Sequence, residues 1–154
     1  MATSEGKVQW QTNEQPLAEE NVFKHLSLTA PYLDIIEEMT ATEFLHFHHR
    51  FKQLQPNLSI VEILNLVGLE KSAGKQVRYY SSGMKQRLKL AQAIFSDTPL
   101  LLLDEPCTNL DTSGIDLYQR LIAEYTTGKT IVVSSNDKNE YAFCDNIISI
   151  AAFK

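Results

Sequence analysis

Cysteine is scarce in this chain. Of 154 residues only Cys107 and Cys144 are cysteines, they lie far apart, and neither has a neighbour at metal-ligand spacing. That gives no basis for a zinc site or a disulfide framework and fits a reducing cytoplasm. Basic runs are absent as well, and with a formal net charge of −5 the chain lacks the positive face of a general nucleic-acid binder, so no nucleic-acid partner is expected. No apolar run approaches membrane-spanning length, and the N-terminus has no charged-then-apolar signal pattern. What is present is an apolar content of 44%, enough for one compact domain with a core rather than a disordered chain.

Met1 to Lys7 is small and polar and carries no fold information. Val8-Gln9-Trp10 and Lys24 to Thr29 show the short alternation of half-buried strands, separated by a polar, acidic loop containing Pro16. Thr40 and Glu43 then form a Thr-x-x-Glu capping box, after which Phe44, Phe47, His48, Phe51 and Leu54 recur at helical spacing up to Pro56. A second box, Ser59 with Glu62, opens a helix through Ile60, Ile63, Leu64 and Val67, with Gly68 placed to end it. These helices read as a layer set apart from the sheet. His46, His48 and His49 invite a metal reading, but only His46 and His49 share a helix face and no carboxylate joins them.

Ser81 can cap the next helix, in which Met84, Leu88, Ala91 and Phe95 form one stripe while Lys85, Gln86, Lys89 and Gln92 face away. Lys85, Arg87 and Lys89 read as a solvated face. Leu100 to Leu103 follow: too short to cross a membrane and too apolar for a surface strand, they predict a central parallel strand covered on both faces. That strand ends in Asp104 and Glu105. In open parallel α/β sheets ligands bind beyond the carboxyl ends of the strands, so the two acids stand where a phosphate-bound metal could be held and a water activated. Ile115, Tyr118, Leu121, Ile122 and Tyr125 mark another amphipathic helix ending near Gly128. Thr130 to Val133 reads as a buried strand, Lys138 to Phe143 as a short helix and Asn146 to Ile150 as a last strand. The alternation predicts a parallel sheet.

The central segment resembles the nucleotide-binding domain of ABC (ATP-binding cassette) transporters through motifs in the family's order. Tyr80-Ser81-Ser82-Gly83-Met84 looks like the signature loop, Leu100 to Glu105 like the Walker B strand, Asn109-Leu110-Asp111 like the D-loop, and Ser134-Ser135-Asn136-Asp137 stands at the switch loop. The resemblance implies an α/β, P-loop NTPase-like (ABC ATPase) parallel sheet core with a helical subdomain: about 40–95 as helical subdomain and signature helix, 98–154 as the Walker B, D-loop and switch-loop core. It implies ATP and Mg2+ as cofactors, Asp104 as the metal partner, Glu105 as the catalytic carboxylate with Asn136 beside it, and Ser81, Ser82, Gly83, Met84, Asn109 and Asp111 as nucleotide-binding. The implied partners are a second nucleotide-binding domain, across which two ATP molecules are sandwiched, and a transmembrane subunit meeting the polar region Pro31 to Glu38. The implied location is the inner face of the cell membrane, and the signature wording is closest to bacterial export-type members.

One element of that family is not found in these residues. Phosphate cradling needs Gly-x-x-x-x-Gly-Lys-Ser/Thr. Gly6-Lys7 is followed by Val8, and Gly68 to Lys75 has one residue too many between its glycines and Gln76 at the hydroxyl position. The expectation is therefore an N-terminally incomplete domain, with a non-hydrolysing, degenerate cassette or interaction module as the alternative. Pro31 falls where the family has glutamine, and Asn136 where it has histidine. Asparagine can hydrogen-bond a phosphate oxygen but carries no proton or charge. Cys107 reads as a neutral loop residue, having no histidine near it in sequence.

Overall fold

The structure is a computed structural model that describes residues 8–12 and 15–153. A small antiparallel hairpin, β1 (Gln11–Thr12) with β2 (Gln15–Pro16), is followed by a short helix α1 (Glu19–Val22) and strand β3 (Leu26–Thr29). Helices α2 (Ala41–Phe51), α3 (Ile60–Leu66) and α4 (Ser82–Ile94) lead to β4 (Leu100–Asp104); α5 (Thr112–Tyr125), β5 (Thr130–Ser134) and α6 (Lys138–Tyr141) complete the order. β3, β4 and β5 form one parallel sheet in that spatial order, with Leu102 in register between Leu28 and Val132.

Local chemistry sets the helix ends. Both capping boxes close: the Glu43 and Glu62 amides donate to the Thr40 and Ser59 hydroxyls at 3.2 Å, and the Thr40 and Ser59 amides donate back to the carboxylates at 2.8 and 2.7 Å. Such a cap stabilises a helix by about 1 kcal/mol. After α3 the chain turns at Gly68, whose φ of 69° suits glycine, and the Leu69 amide reaches back to the Leu64 carbonyl at 2.8 Å while the Gly68 amide reaches Asn65 at 2.9 Å. This pair of bonds is the Schellman closure, and buried Leu69 packs beneath it.

A single apolar core joins the helices to the sheet. Phe44, Leu45, Ile63, Leu64, Leu88, Leu90 and Ile94 meet Leu101, Leu103, Tyr118 and Leu121, all buried. α4 packs on β3 and against α5, so the helix whose amino end carries Ser81 is fixed to the sheet. Lys52 and Lys129 tie the far ends together: the Lys52 ammonium donates to the Leu26 carbonyl at 2.6 Å and the Lys129 ammonium to the Ile94 carbonyl at 2.9 Å.

Several expectations need correction. Val8-Gln9-Trp10 is not a strand. The pairing falls on β1 and β2, and the Trp10 carbonyl accepts from the Leu17 amide at 2.8 Å to close that hairpin. β4 is central but is not covered equally. Leu101 and Leu103 are buried while Leu100 and Leu102 are half-buried, because α4 and α5 pack together over one face. β5 is an edge strand rather than a buried one, with Val132 53% exposed. Asn146 to Ile150 is not a strand: alternation makes a segment strand-like, but a strand also needs a partner, and no described strand lies beside it.

The helical layer contains a titratable contact. His48 Nε2 is paired with the Ser96 hydroxyl at 2.8 Å, and burial, with Lys52 and His49 nearby, pulls its pKa down to about 4. A histidine held neutral in the fold and protonated near 6.5 when unfolded makes the unfolded state bind more protons between those values, so stability falls as pH drops from about 6.5 towards 4. Discounted for partial solvent screening, the expected loss is about 1–2 kcal/mol. Denaturant melts at pH 7 and pH 5 should differ by that amount, and His48→Gln should remove most of the difference.

Candidate functional site at the carboxyl rim of the sheet

The three parallel strands end on one rim. Asp104 is the last residue of β4, level with Ser134 at the end of β5, and Asn136 follows two positions beyond. Asp104 is half-buried, Glu105 and Asn136 are exposed. The Tyr32 hydroxyl, just past the end of β3, faces the Asp104 carboxylate, and its hydrogen bond and negative charge raise the tyrosine above its ordinary value. Pro31 precedes it, and its carbonyl accepts from the Lys89 ammonium of α4 at 2.8 Å.

Glu105 adopts φ of 41°, the left-handed region that a non-glycine residue enters at a cost of order 1–3 kcal/mol. The surrounding bonds hold it there. Its amide donates to the Ser134 carbonyl at 2.9 Å, its carbonyl accepts from the Thr108 amide at 3.1 Å, and the Thr108 hydroxyl reaches its carboxylate at 3.5 Å. The carboxylate itself remains open to solvent on the rim.

Ser81 caps α4, accepting from the Met84 amide at 3.3 Å, so Ser82, Gly83 and Met84 occupy the first turn with their amides at the positive end of a 13-residue helix. That turn lies against the loop after β4: a methyl group on Gly83 would stand 3.1 Å from the Asn109 carbonyl oxygen. Asn109 is itself left-handed, with φ of 65°, a conformation asparagine tolerates well. Asp111 caps α5, accepting from the Gly114 amide at 2.8 Å and from the Ser113 hydroxyl at 2.9 Å, and these bonds hold its carboxyl below the usual range. Its carboxylate is thus already occupied within its own chain.

Two groups of expected site residues therefore converge: Asp104, Glu105 and Asn136 at the strand ends, and Ser81 to Met84 joined to the rim through Asn109. The basic residues of α4 are not merely solvated. Lys85 is paired with Glu37, Arg87 lies 3.7 Å from Asp111, and Lys89 reaches the loop after β3. Gln86 does not face away. It is 3% exposed, and its side-chain amide donates to the Pro106 carbonyl at 2.7 Å. Leu90, Ala93 and Ile94, four, seven and eight positions on, are buried with it, and that spacing was the available signal. Glu140, 4% exposed on α6, accepts from the Cys107 amide at 2.6 Å; no pattern in the sequence marks it.

Cys107 is buried, and burial, with Glu140 beside it, pushes its thiol up to about 12, which keeps it neutral. The His49 ring accepts from the Leu54 amide at 3.0 Å and His48 is paired with Ser96, so these two histidines serve the helical layer. Two clefts, of about 450 and 430 Å3, lie at the amino ends of the strands, lined among others by Pro99 with Lys129 and by Trp10 with Leu100. Neither includes Asp104 or Glu105. Glu105 and Asn136 stand exposed on the rim, with Asp104 half-buried at the end of β4.

A hard cation that keeps several waters, and is held by one or two carboxylates plus substrate phosphates, fits the donor set Asp104 and Glu105. Among the described residues no group of three or more His, Cys, Asp or Glu converges as a self-sufficient metal cage. Nor is any described helix long and apolar enough to cross a membrane.

In sequence and in fold the chain is similar to known proteins. Residues 1–108 match the ABC transporter family. The chain is 40% identical over 104 residues to the ABC transporter ATP-binding protein YcbN of Bacillus subtilis, covering 65% of this chain and 33% of that protein. It is 35% identical over 113 residues to the cytochrome c biogenesis ATP-binding export protein CcmA of Xylella fastidiosa, covering 72% of this chain and 51% of that one. The chain thus spans about half or less of the length of these two curated relatives. In fold it superposes on the ATP-binding cassette MJ0796, solved as a dimer bound to ADP and Pi, with a TM-score of 0.73 at 22% identity over 88% of this chain and 65% of that one. The architecture is that of the ABC ATPases within the P-loop NTPase class, and the chain belongs to the ABC transporter family of ATP-binding proteins.

Proposed function

We propose that these residues supply the metal-binding, water-activating and signature portions of an ABC transporter's ATP-binding subunit, which couples ATP binding and hydrolysis to transport across a membrane. The observation that carries this reading is the rim itself. An acidic pair at the end of the central strand lies level with the end of β5, two residues before Asn136, and is tied through Asn109 to a capped helix end. Asp104 would hold Mg2+, whose charge offsets that on the phosphate oxygens when bound. Glu105, open to solvent and fixed in backbone, would accept the hydrogen bond of the attacking water and polarise it. Asn136 would donate to a phosphate oxygen. The amide end at Ser82 and Gly83 would hold the terminal phosphate of a nucleotide bound by a second cassette, which turns ATP binding into dimer closure. Pro31 to Glu38 would face the transmembrane subunit, on the cytoplasmic side.

The lysine loop for the β and γ phosphates would come from polypeptide outside these 154 residues, since no Gly-x-x-x-x-Gly-Lys-Ser/Thr run occurs in them. The 154-residue chain incubated with ATP and Mg2+ should accordingly release phosphate at the buffer rate. Turnover above background that Glu105→Gln abolishes would overturn that assignment. A second reading, a cassette that binds and pairs without hydrolysis, is favoured by Asn136, which cannot carry a proton. Multiple-turnover assay of the intact subunit separates the two.

A further inference from the structure

The peptide group between Pro106 and Cys107, one residue beyond Glu105, is held at both ends. Its carbonyl accepts from the Gln86 side-chain amide at 2.7 Å, and its N–H donates to Glu140 Oε1 at 2.6 Å. Both side chains are almost fully buried, as are Pro106 and Cys107. Gln86 lies on α4, one turn from Gly83; Glu140 lies on α6, four residues after Asn136. A third element anchors the second arm, because the Tyr118 hydroxyl of α5 donates to the Glu140 main-chain carbonyl at 2.8 Å. Burying a carboxylate and an amide is unfavourable unless each is hydrogen-bonded, and here both serve one peptide plane.

We propose that Gln86 and Glu140 are positioning residues that grip this peptide from opposite sides, hold Glu105 in its left-handed conformation, and couple the signature helix to the switch loop through it. The inference rests on the ATPase reading for its functional half. The geometry follows from the plane itself. A peptide group is rigid, so rotating the Pro106 carbonyl away from Gln86 also turns the Cys107 N–H away from Glu140. That plane turns about Pro106 ψ and Cys107 φ, and because the proline ring fixes Pro106 φ, whatever ψ does not take up passes back to the Glu105–Pro106 peptide and so to the Glu105 torsions. Displacement of the amino end of α4 by a nucleotide therefore reaches Glu105 and α6 through two hydrogen bonds. A merely structural role would satisfy buried polar atoms without linking their fates.

The test uses Gln86→Met and Glu140→Met, which remove donor and acceptor at similar volume, with Glu140→Gln retaining the acceptor oxygen. In the 154-residue chain, amide hydrogen exchange at Cys107 should quicken at least about 100-fold in Glu140→Met, and about 10-fold in Gln86→Met although residue 86 does not touch that amide. Amides of β4 such as Leu101 should stay protected and so report that each variant is folded. In the intact subunit each Met substitution should lower kcat about 10-fold or more with KM for ATP within about twofold. The double variant should fall little further than the worse single one, because both act on one plane. Glu140→Gln should recover most of the rate. Unchanged Cys107 exchange in Gln86→Met, or kcat losses that multiply in the double variant, would overturn the proposal. An unsubstituted intact subunit that hydrolyses no ATP would sink the ATPase reading instead, and the exchange result alone would then decide for or against the clamp.

Discussion

Glu105→Gln in the intact ATP-binding subunit is expected to lower the turnover of ATP by about 10²–10⁴-fold while leaving ATP binding in place. The substitution keeps the shape and one acceptor oxygen but removes the charge that polarises the attacking water. Its structural consequences should be small. Glu105 is exposed, and among the described residues its carboxylate meets the Thr108 hydroxyl at 3.5 Å. Both residues face the same cost at φ of 41°, so the folding free energy should move by no more than about 0.5 kcal/mol. Closure without hydrolysis should then accumulate ATP-bound dimers, visible as a doubled mass in size-exclusion chromatography with ATP and absent with ADP. Ordinary turnover in this variant would remove Glu105 from its role, and loss of ATP binding would mean that it supports the ground state instead.

Much of this arrangement was readable before any coordinates. Helix starts were plain because capping is local: Thr40 with Glu43, Ser59 with Glu62 and Ser81 each act within four residues, and each forms as its spacing dictates. The parallel sheet and the placing of Asp104 at its rim followed from leucines ending in acids between two amphipathic helices. What stayed hidden depends on partners remote in sequence. Whether a strand is central or at an edge is decided by what lies beside it, so Thr130 to Val133 and Asn146 to Ile150 looked alike in pattern although, among the described residues, only the first is paired. The open row of Leu28, Leu102 and Val132 likewise could not be inferred from apolarity, since a run of leucines does not say how many faces are covered. Gln86 was misjudged on polarity. A helix carries its buried stripe by angle, and a glutamine on that stripe is acceptable once a carbonyl such as that of Pro106 meets it. Glu140 and Tyr32 matter only through contacts with residues far along the chain.

Gly83→Val should reduce turnover in the intact subunit by about 100-fold for a different reason: it blocks the approach of the signature turn to nucleotide and to its own neighbouring loop. The Asn109 carbonyl oxygen would be 3.1 Å from the first added carbon, and valine's two γ-carbons leave few rotamers that avoid it. Asn109 cannot retreat freely, because its left-handed backbone is followed by Leu110, whose amide is bonded to the Cys107 carbonyl at 2.9 Å. The helix itself tolerates the change, since valine is a better helix former than glycine and Gly83 lies only one residue into α4. Stability should therefore fall by about 1–2 kcal/mol from crowding alone, leaving a folded protein. The distinguishing outcome is a split: nucleotide binding by each separate subunit unchanged, ATP-driven dimerisation lost, and kcat reduced. Equal loss of binding and closure would show that the turn at Gly83 serves its own chain's nucleotide, and the reading of the capped helix end as an element acting across the dimer would fall.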